Sequence, residues 1–452
     1  MTIAIAGAGI SGLSLAFMLL EKSPDLDIVI FEADSRPGGK IWTEKTNGFL
    51  LESGVNGFLD NRPKTLELSS RLSLLPLRSN DNARKRYIYS GGRLNLIPES
   101  PLAFLKSNLL SISGKLRIIW ELFASKGKED DETLETFAIR RLGREVYEKL
   151  IDPMASGIYA GDPSRLSLKS CFPRIYELER EHGSLIKAMI KLQKEARKTG
   201  KKVGPGPGGV LTSFYDGMSA IIESLKLYVG SRLKTGMAVK GIDKKNGAFA
   251  CYLSDGSIHE ADCVILACPA YAASEILKDM DKGISSIIAG IPYPPVSVVC
   301  FGFKQNSINT DMGGFGFLCP NRERRKILGT LYDSSIFPNR APEGYVLLRT
   351  MIGGARAGDI AMLKDNRLTD VAIAELSDIM GIKAEPEFIR IFRHERAIPQ
   401  YELGHQERLK KLDEALARHR GLFLTGNAYR GIGVNDCIEN SFNLAEAIVI
   451  AH

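Results

Sequence analysis

Apolar and polar positions along the chain change period several times, and the changes mark out its elements. Residues 2–6 form a short continuous apolar run, the pattern of a strand buried on both faces. Leu13 to Leu20 then carries helical apolar content, and a second apolar run, Ile28 to Phe31, ends on Glu32. Between Ser100 and about Gly204 the pattern turns helical, with few strand signals. From Gly208 strand signals return as Ser231 to Ile242, Phe249 to Leu253, an Asp255-Gly256 hairpin turn and the run Cys263 to Cys268. Sequence punctuated by Pro and Gly predicts a β-rich stretch from Pro292 to Gly354, and an amphipathic helix follows around Leu368 to Met380. The final segment, Gly421 to Ala451, reads as strand, glycine turn and a helix beginning near Asn435. Strand–helix pieces at the start, middle and end predict an α/β fold whose Rossmann-like domain is assembled from discontinuous segments.

Residues between the first strand and first helix carry the strongest chemical signal. Gly7, Gly9 and Gly12 stand as G-x-G-x-x-G between them. The first allows a tight turn, the second a close approach of backbone to a pyrophosphate, and the third close helix–strand packing. Ala8, Ile10 and Ser11 complete the turn, whose helix N-terminus suits an anion. Glu32 lies twenty residues beyond Gly12, where a carboxylate accepts the hydroxyls of an adenosine ribose and disfavours a phosphorylated one. Ala33 follows it. Two further glycine-bearing turns, Arg36-Pro37-Gly38-Gly39-Lys40 and Ser53-Gly54-Val55-Asn56-Gly57, select FAD over a nicotinamide cofactor, because a long, permanently held dinucleotide needs several wrapping turns. They resemble the FAD-binding start of the flavin amine-oxidase superfamily. The C-terminal turn, with Asn427, Ile432, Gly433 and Val434, places a helix N-terminus for the pyrimidine edge of a flavin. Val239 is a further expected cofactor contact.

Composition narrows the setting. The 452 residues suit two or three domains, with 44% hydrophobic and 25% charged content. No apolar run is long enough to span a bilayer, and no targeting segment is expected before the glycine fold at Thr2. Seven cysteines without a C-x-x-C pair point to reduced thiols, and the scattered histidines predict no metal site. Sixty basic against fifty-three acidic residues give a net charge of +7, diffuse and without a recognition motif, so no nucleic acid is expected. Pro101 to Phe123 places apolar residues, among them Leu102, Leu105, Leu109, Leu110, Trp120 and Phe123, beside Lys106, Lys115 and Arg117. Together with the basic run Lys187 to Lys202, it predicts a surface dipped into an anionic leaflet, peripherally, at the cytoplasmic face of the cell membrane.

From end to end, several strings resemble the oxygen-dependent protoporphyrinogen oxidase family: DPMASGIYAGDPSRLS (152–167), GFGFL (314–318), IPQYELGH (398–405) and GVNDCIE (433–439). The resemblance implies non-covalent FAD, since the cysteine segment of covalent flavin oxidases is absent near the C-terminus. Oxidation of a porphyrinogen by dioxygen would follow, and whether the substrate is protoporphyrinogen or coproporphyrinogen stays open. Other flavin oxidases or desaturases, and a flavin-free prenyl-chaperone, are the alternatives; GFGFL, IPQYELGH, Glu32 and the GIGV turn argue against them. By resemblance, Arg86 pairs with a substrate propionate, Phe315 and Leu318 pack on the macrocycle, the Gly316 backbone lies at the reacting face, and Met351 lines the opposite wall. A ferrochelatase-type partner or a homodimer is also implied. The family pattern divides the chain into FAD-binding segments 1–83, 207–270 and 396–452, substrate segments 84–97 and 271–395, and a helical, membrane-associating insertion 98–206. In two places the chain departs from it: Asn56 stands in a turn where many members carry proline, and Lys40 where an aromatic or arginine is also found.

Overall fold

A computed structural model describes residues 1–98, 101–127, 129–199, 208–245 and 247–450. Its centre is a five-stranded parallel sheet in the order Leu233–Lys234, Asp27–Phe31, Thr2–Ala6, Cys263–Leu266, Leu422–Leu424. Strands this far apart in sequence meet because the central ones are apolar on both faces and need cover on both. Alternation along Thr2–Ala6 shows the division. Ile3 and Ile5 pack with the helices Ile10–Lys22 and Val434–Ile450. Ala4 and Ala6 face the opposite core, built from the helices Ala270–Leu277, Lys282–Ala289 and His405–Leu416 and a three-stranded antiparallel sheet.

The second large sheet has seven strands, in the order Phe388–His394, Val296–Lys304, Tyr345–Gly353, Gly329–Leu331, Gly316–Leu318, Arg86–Ser90, Arg93–Leu96. All pairs are antiparallel except Gly316–Leu318 with Arg86–Ser90. Successive side chains alternate between its faces. Val299, Phe301, Phe317 and Leu348 go to one core beneath the helix Asp365–Met380. On the other face, register places Arg86 beside Gly316 and Leu331, then Arg349; two residues on, Leu318, Gly329 and Met351 lie in line.

The described residues from 101 to 199 are helices and turns, as the pattern predicts. The strand expected across Ser231 to Ile242 is instead two, Leu233–Lys234 and Val239–Lys245, because the chain leaves the parallel sheet and enters the small antiparallel one. Helix Ser219–Val229 was hidden among strand signals; its Ile221, Ile222, Leu225 and Val229 cover the parallel sheet.

Candidate functional site

A cavity of about 550 Å³ opens at the C-terminal ends of the parallel strands, where ligands of open α/β sheets bind. Its walls include Gly7, Gly9, Ile10, Ser11, Glu32, Ala33, Gly39, Lys40, Val55, Val239, Asn427, Ile432 and Val434. These are expected cofactor residues from five separate stretches of chain.

The first turn is shaped for an anion. A methyl group on Gly12 would lie 2.0 Å from the Gly7 carbonyl oxygen, so only glycine lets the helix start this close to the strand. At Gly9 the same methyl would meet nothing within 4 Å, which leaves room for a bulky group. Helix Ile10–Lys22 has neither a side-chain cap nor an acidic residue in its first turn, so its N-terminal N–H groups keep their donor capacity. Glu32, nearly buried, accepts the N–H groups of Ala8 at 2.8 Å and Asp34 at 2.9 Å, which hold the carboxylate still at the cavity wall.

Some expected contacts have other work. Ala8 gives its N–H to Glu32 and its side chain to the core, and Gly12 serves packing. A methyl on Gly57 would lie 2.5 Å from the Thr212 oxygen, so Gly57 fits its turn against strand Leu211–Phe214. Gly54, Asn56 and Gly433 likewise lie outside the cavity wall. Asn56 reaches Asp333 Oδ1 at 3.5 Å. Gly433 donates to Asp436 Oδ2 at 3.1 Å, so an acid in the first turn takes part of the helix terminus that the sequence assigns wholly to a flavin.

Other walls were not foreseen: Arg36, Trp42, Cys268, Tyr271, Phe392 and His394. Cys268 sits just past the end of strand Cys263–Leu266, a position the strand pattern could have offered. Phe392 and His394 carry no local signal, because only the pairing of strand Phe388–His394 with Val296–Lys304 brings them in.

Two turns of the cradle are held by side chains gripping their carbonyls. In the IPQYELGH string, Tyr401 donates its hydroxyl to Asn427 O at 2.6 Å, and His405 Nε2 donates to Tyr429 O at 3.0 Å. The two rings stack at 4.1 Å, and burial lowers the His405 pKa to about 4, so the imidazole is neutral. On the opposite side, Arg349 Nη1 donates to Glu52 O at 3.0 Å and Gly54 O at 3.1 Å, while His394 Nε2 donates to Ser53 O at 2.9 Å.

Beneath that second turn four charged side chains are buried together: Glu52, Asp333, Arg340 and Arg349. Arg349 Nε lies 2.8 Å from Asp333 Oδ2, and Arg340 Nη2 lies 3.9 Å from Glu52 Oε1. Burial raises the Glu52 carboxyl to about 7 against hydrogen bonds from Met218 N–H and Thr43, and raises Asp333 as well.

The expected substrate contacts gather on the sheet face that carries Arg349. Arg86 is exposed, makes no ion pair among the described residues, and its guanidinium carbon lies 5.1 Å from the centre of the Phe315 ring. Gly316 has φ +130°, and a methyl there would lie 2.1 Å from the Thr330 oxygen, so the sheet closes only on glycine. Leu318 lies against Gly157 of helix Asp152–Tyr159, part of the GIYAGD string. Met351 pairs with Gly329 and packs against the apolar cluster that holds Phe49, Leu51 and Val298.

Residues 10–449 match the model of the flavin-containing amine oxidoreductase family. The chain belongs to that family. It is an FAD-dependent oxidoreductase, and the glycine turns, Glu32 and the cavity fit the dinucleotide. Coproporphyrinogen III oxidase of Bacillus subtilis (strain 168) is 33% identical over 457 residues, spanning 97% of this chain and 95% of that one. Chloroplastic protoporphyrinogen oxidase 1 of Arabidopsis thaliana is 33% identical over 469 residues, spanning 98% and 86%. A crystal structure from Exiguobacterium sp. 255-15, named provisionally a protoporphyrinogen oxidase, superposes with TM-score 0.85 at 25% identity, covering 100% of this chain and 99% of that one.

Proposed function

We propose that this enzyme oxidises a porphyrinogen to the porphyrin, with dioxygen as the final acceptor and hydrogen peroxide as the product. The main reading is protoporphyrinogen IX to protoporphyrin IX. The observation that carries it is the sheet face on which Arg86, Gly316, Leu318 and Met351 lie in register beside Arg349, the residue that grips the cofactor turn. The second reading is coproporphyrinogen III to coproporphyrin III, favoured by the Bacillus subtilis relative, which matches over nearly its whole length.

FAD held by these residues would supply the hydride acceptor for oxidation at a meso bridge, needed once in each of three rounds. Pyrrole nitrogens stabilise the resulting cation and release protons to water, so no strong base is asked of the chain. What the residues do is hold and orient. Phe315 and Leu318 offer flat apolar contact, the Gly316 backbone allows close approach, and Met351 closes the wall. Arg86 offers a carboxylate a forked pair of donors. Gly7, Gly9, Ile10, Ser11, Glu32, Ala33, Gly39, Lys40, Val55, Val239, Asn427, Ile432 and Val434 hold the cofactor without a covalent bond. The domain boundaries given above belong to the same reading.

The working place proposed is cytoplasmic, against the inner face of the cell membrane. Among the described residues no helix is long and apolar enough to cross a membrane. Helix Ile112–Ile119 and the turn Trp120–Phe123 expose Ile112, Leu116, Ile119, Trp120 and Phe123 along one side. Helix Leu185–Thr199, which packs beside that turn, exposes Lys187, Lys191 and Lys194. This patch is narrower than the sequence pattern predicts. Leu109 and Leu110 are core, and Lys115 and Arg117 turn inward onto carbonyls of Ser107, Arg140 and Arg141. The Leu102, Leu105, Arg197 and Lys198 side chains, and Lys201 and Lys202 entirely, lie outside the described residues.

Anaerobic mixing of the purified enzyme with each porphyrinogen, following loss of flavin absorbance, tests the activity. The expected result is bleaching by protoporphyrinogen IX faster than by coproporphyrinogen III; the reverse order selects the second reading, and no bleaching by either removes both. Arg86→Ala should raise KM by about tenfold or more with the flavin spectrum intact, the effect of losing one charge-assisted pair. Unchanged turnover in that variant would return Arg86 to the solvated rim.

A further inference from the structure

The turn from Glu52 to Gly57 belongs to the cofactor side of the molecule, yet the substrate sheet holds it. Three consecutive carbonyls, of Glu52, Ser53 and Gly54, are captured by Arg349 and His394, from strands Tyr345–Gly353 and Phe388–His394. In a planar trans peptide, the N–H of the next residue points opposite to the carbonyl. Holding the oxygens of Ser53 and Gly54 therefore sets the directions of the Gly54 and Val55 N–H groups. Among the described residues, neither group donates to a protein acceptor, and Val55 lines the cavity. The Ser53 hydroxyl and the Asn56 side-chain oxygen of the same turn are also buried without a partner.

The grip is rigid and charged. Arg349 is almost wholly buried, with Asp333 fixing its Nε side. A cation on a carbonyl polarises the whole peptide and makes its N–H a stronger donor. His394 must donate through Nε2, because a carbonyl only accepts, and burial together with Lys40 and Arg36 keeps its ring on the neutral side. Arg349 and Met351 lie two residues apart on one face of one strand, so the sheet that carries the expected substrate wall also steers the cofactor turn.

We propose that Arg349 and His394 are positioning residues for the flavin, which act by fixing the turn that presents Val55 to the cavity and so favour the reduced, negatively charged form. The proposal rests on the reading that FAD fills the cavity beside this turn.

The test is the midpoint potential of the protein-bound flavin, by spectroelectrochemical titration, and FAD affinity, by fluorescence quenching on titrating the apoprotein. The variants are Arg349→Lys, Arg349→Gln, His394→Leu and His394→Gln. Arg349→Lys keeps a charge against Asp333 but loses the fork that reaches two carbonyls, and His394→Gln keeps a donor for Ser53. Arg349→Lys, Arg349→Gln and His394→Leu should shift the potential downward and weaken FAD binding by up to about tenfold, the scale of one lost hydrogen bond. His394→Gln should recover most of both. The His394 pair stands outside the buried ion cluster, so it decides the matter even where Arg349→Gln fails to fold. Wild-type potential and affinity in folded Arg349→Lys and His394→Leu would overturn the proposal. A wild-type protein that takes up no FAD would instead overturn the cofactor reading beneath it.

Discussion

Two buried charge clusters, one under the cofactor turn and one in the helical segment, solve the same problem in opposite ways. In the helical segment Arg141 and Glu121 are fully buried, with Glu179 nearly so. Arg141 donates to Glu179 at 2.6 Å, to Glu121 at 3.3 Å and to Ala124 O at 3.0 Å. Glu121 also accepts Ser184 Oγ at 2.6 Å and the N–H groups of Leu185 and Ile186, and so caps helix Leu185–Thr199. Burial pushes the Glu179 carboxyl up, but hydrogen bonds from Arg140 and Arg141 outweigh it and hold it below its ordinary value. Under the cofactor turn, Glu52 and Asp333 are both raised, and Arg349 spends two of its bonds on backbone carbonyls rather than on a carboxylate. A cluster whose donors and acceptors are matched is structural glue; in the other, Arg349 turns toward neighbouring backbone and the carboxylates stay raised.

Breaking the matched cluster should have the largest effect. Arg141→Leu leaves Glu121 and Glu179 buried with fewer cations, a change that typically costs about 3–5 kcal/mol. Urea unfolding followed by circular dichroism measures it, and the flavin spectrum of the folded fraction should stay that of wild type. A loss under about 1 kcal/mol would mean that water, not Arg141, satisfies those carboxylates.

The clusters should also separate by pH. The folded-state pKa of Glu52, about 7, lies above its ordinary 4.5, so the native state keeps a proton that the unfolded chain has released. Its contribution is present below pH 4.5, falls as pH rises from 4.5 to 7, and is level beyond. The fall is on the order of 3 kcal/mol at full burial. Glu179 of the matched cluster behaves oppositely. Burial pushes it up, but Arg140 and Arg141 hold it below its ordinary 4.5, so its contribution is present above 4.5 and is lost as pH falls through the lowered value. Glu52→Gln should flatten the decline between pH 4.5 and 7 and leave the acid limb in place. Parallel stability–pH curves for variant and wild type would show that Glu52 ionises normally.

The comparison also explains what could be read before the fold was known. The G-x-G-x-x-G turn and Glu32 were legible because their work is done by backbone and by near neighbours along the chain. Strand ends, glycine spacing and a single acid specify them locally. Arg349, His394, Tyr401 and His405 were not legible as holders of the cradle, since each acts on a carbonyl brought near by sheet pairing or by a turn distant in sequence. Lys115 and Arg117 misled in the other direction, because a basic residue beside apolar ones looks solvated until a carbonyl is found for it.

The smallest effect on stability, and a clean one on location, should come from the apolar patch of the helical segment. Phe123 is 74% exposed and Trp120 63%, with their rings 5.7 Å apart, and helix Leu185–Thr199, which exposes Lys191 and Lys194, packs beside their turn. Because both rings already meet water, replacing them removes little folding energy: Trp120→Ser with Phe123→Ser should change stability by no more than about 0.5 kcal/mol per site. Insertion of those rings into a lipid surface would bury that apolar area, and the lysines would add a salt-sensitive attraction to anionic headgroups. The double variant should therefore sediment less with phosphatidylglycerol vesicles at low salt, while turnover in detergent stays near wild type. Lys191→Gln with Lys194→Gln should mainly flatten the salt dependence, since screening acts on the charges and not on the rings. If the wild-type enzyme stays in the supernatant with such vesicles at low ionic strength, the patch does not meet a membrane, and the peripheral location proposed above falls with it.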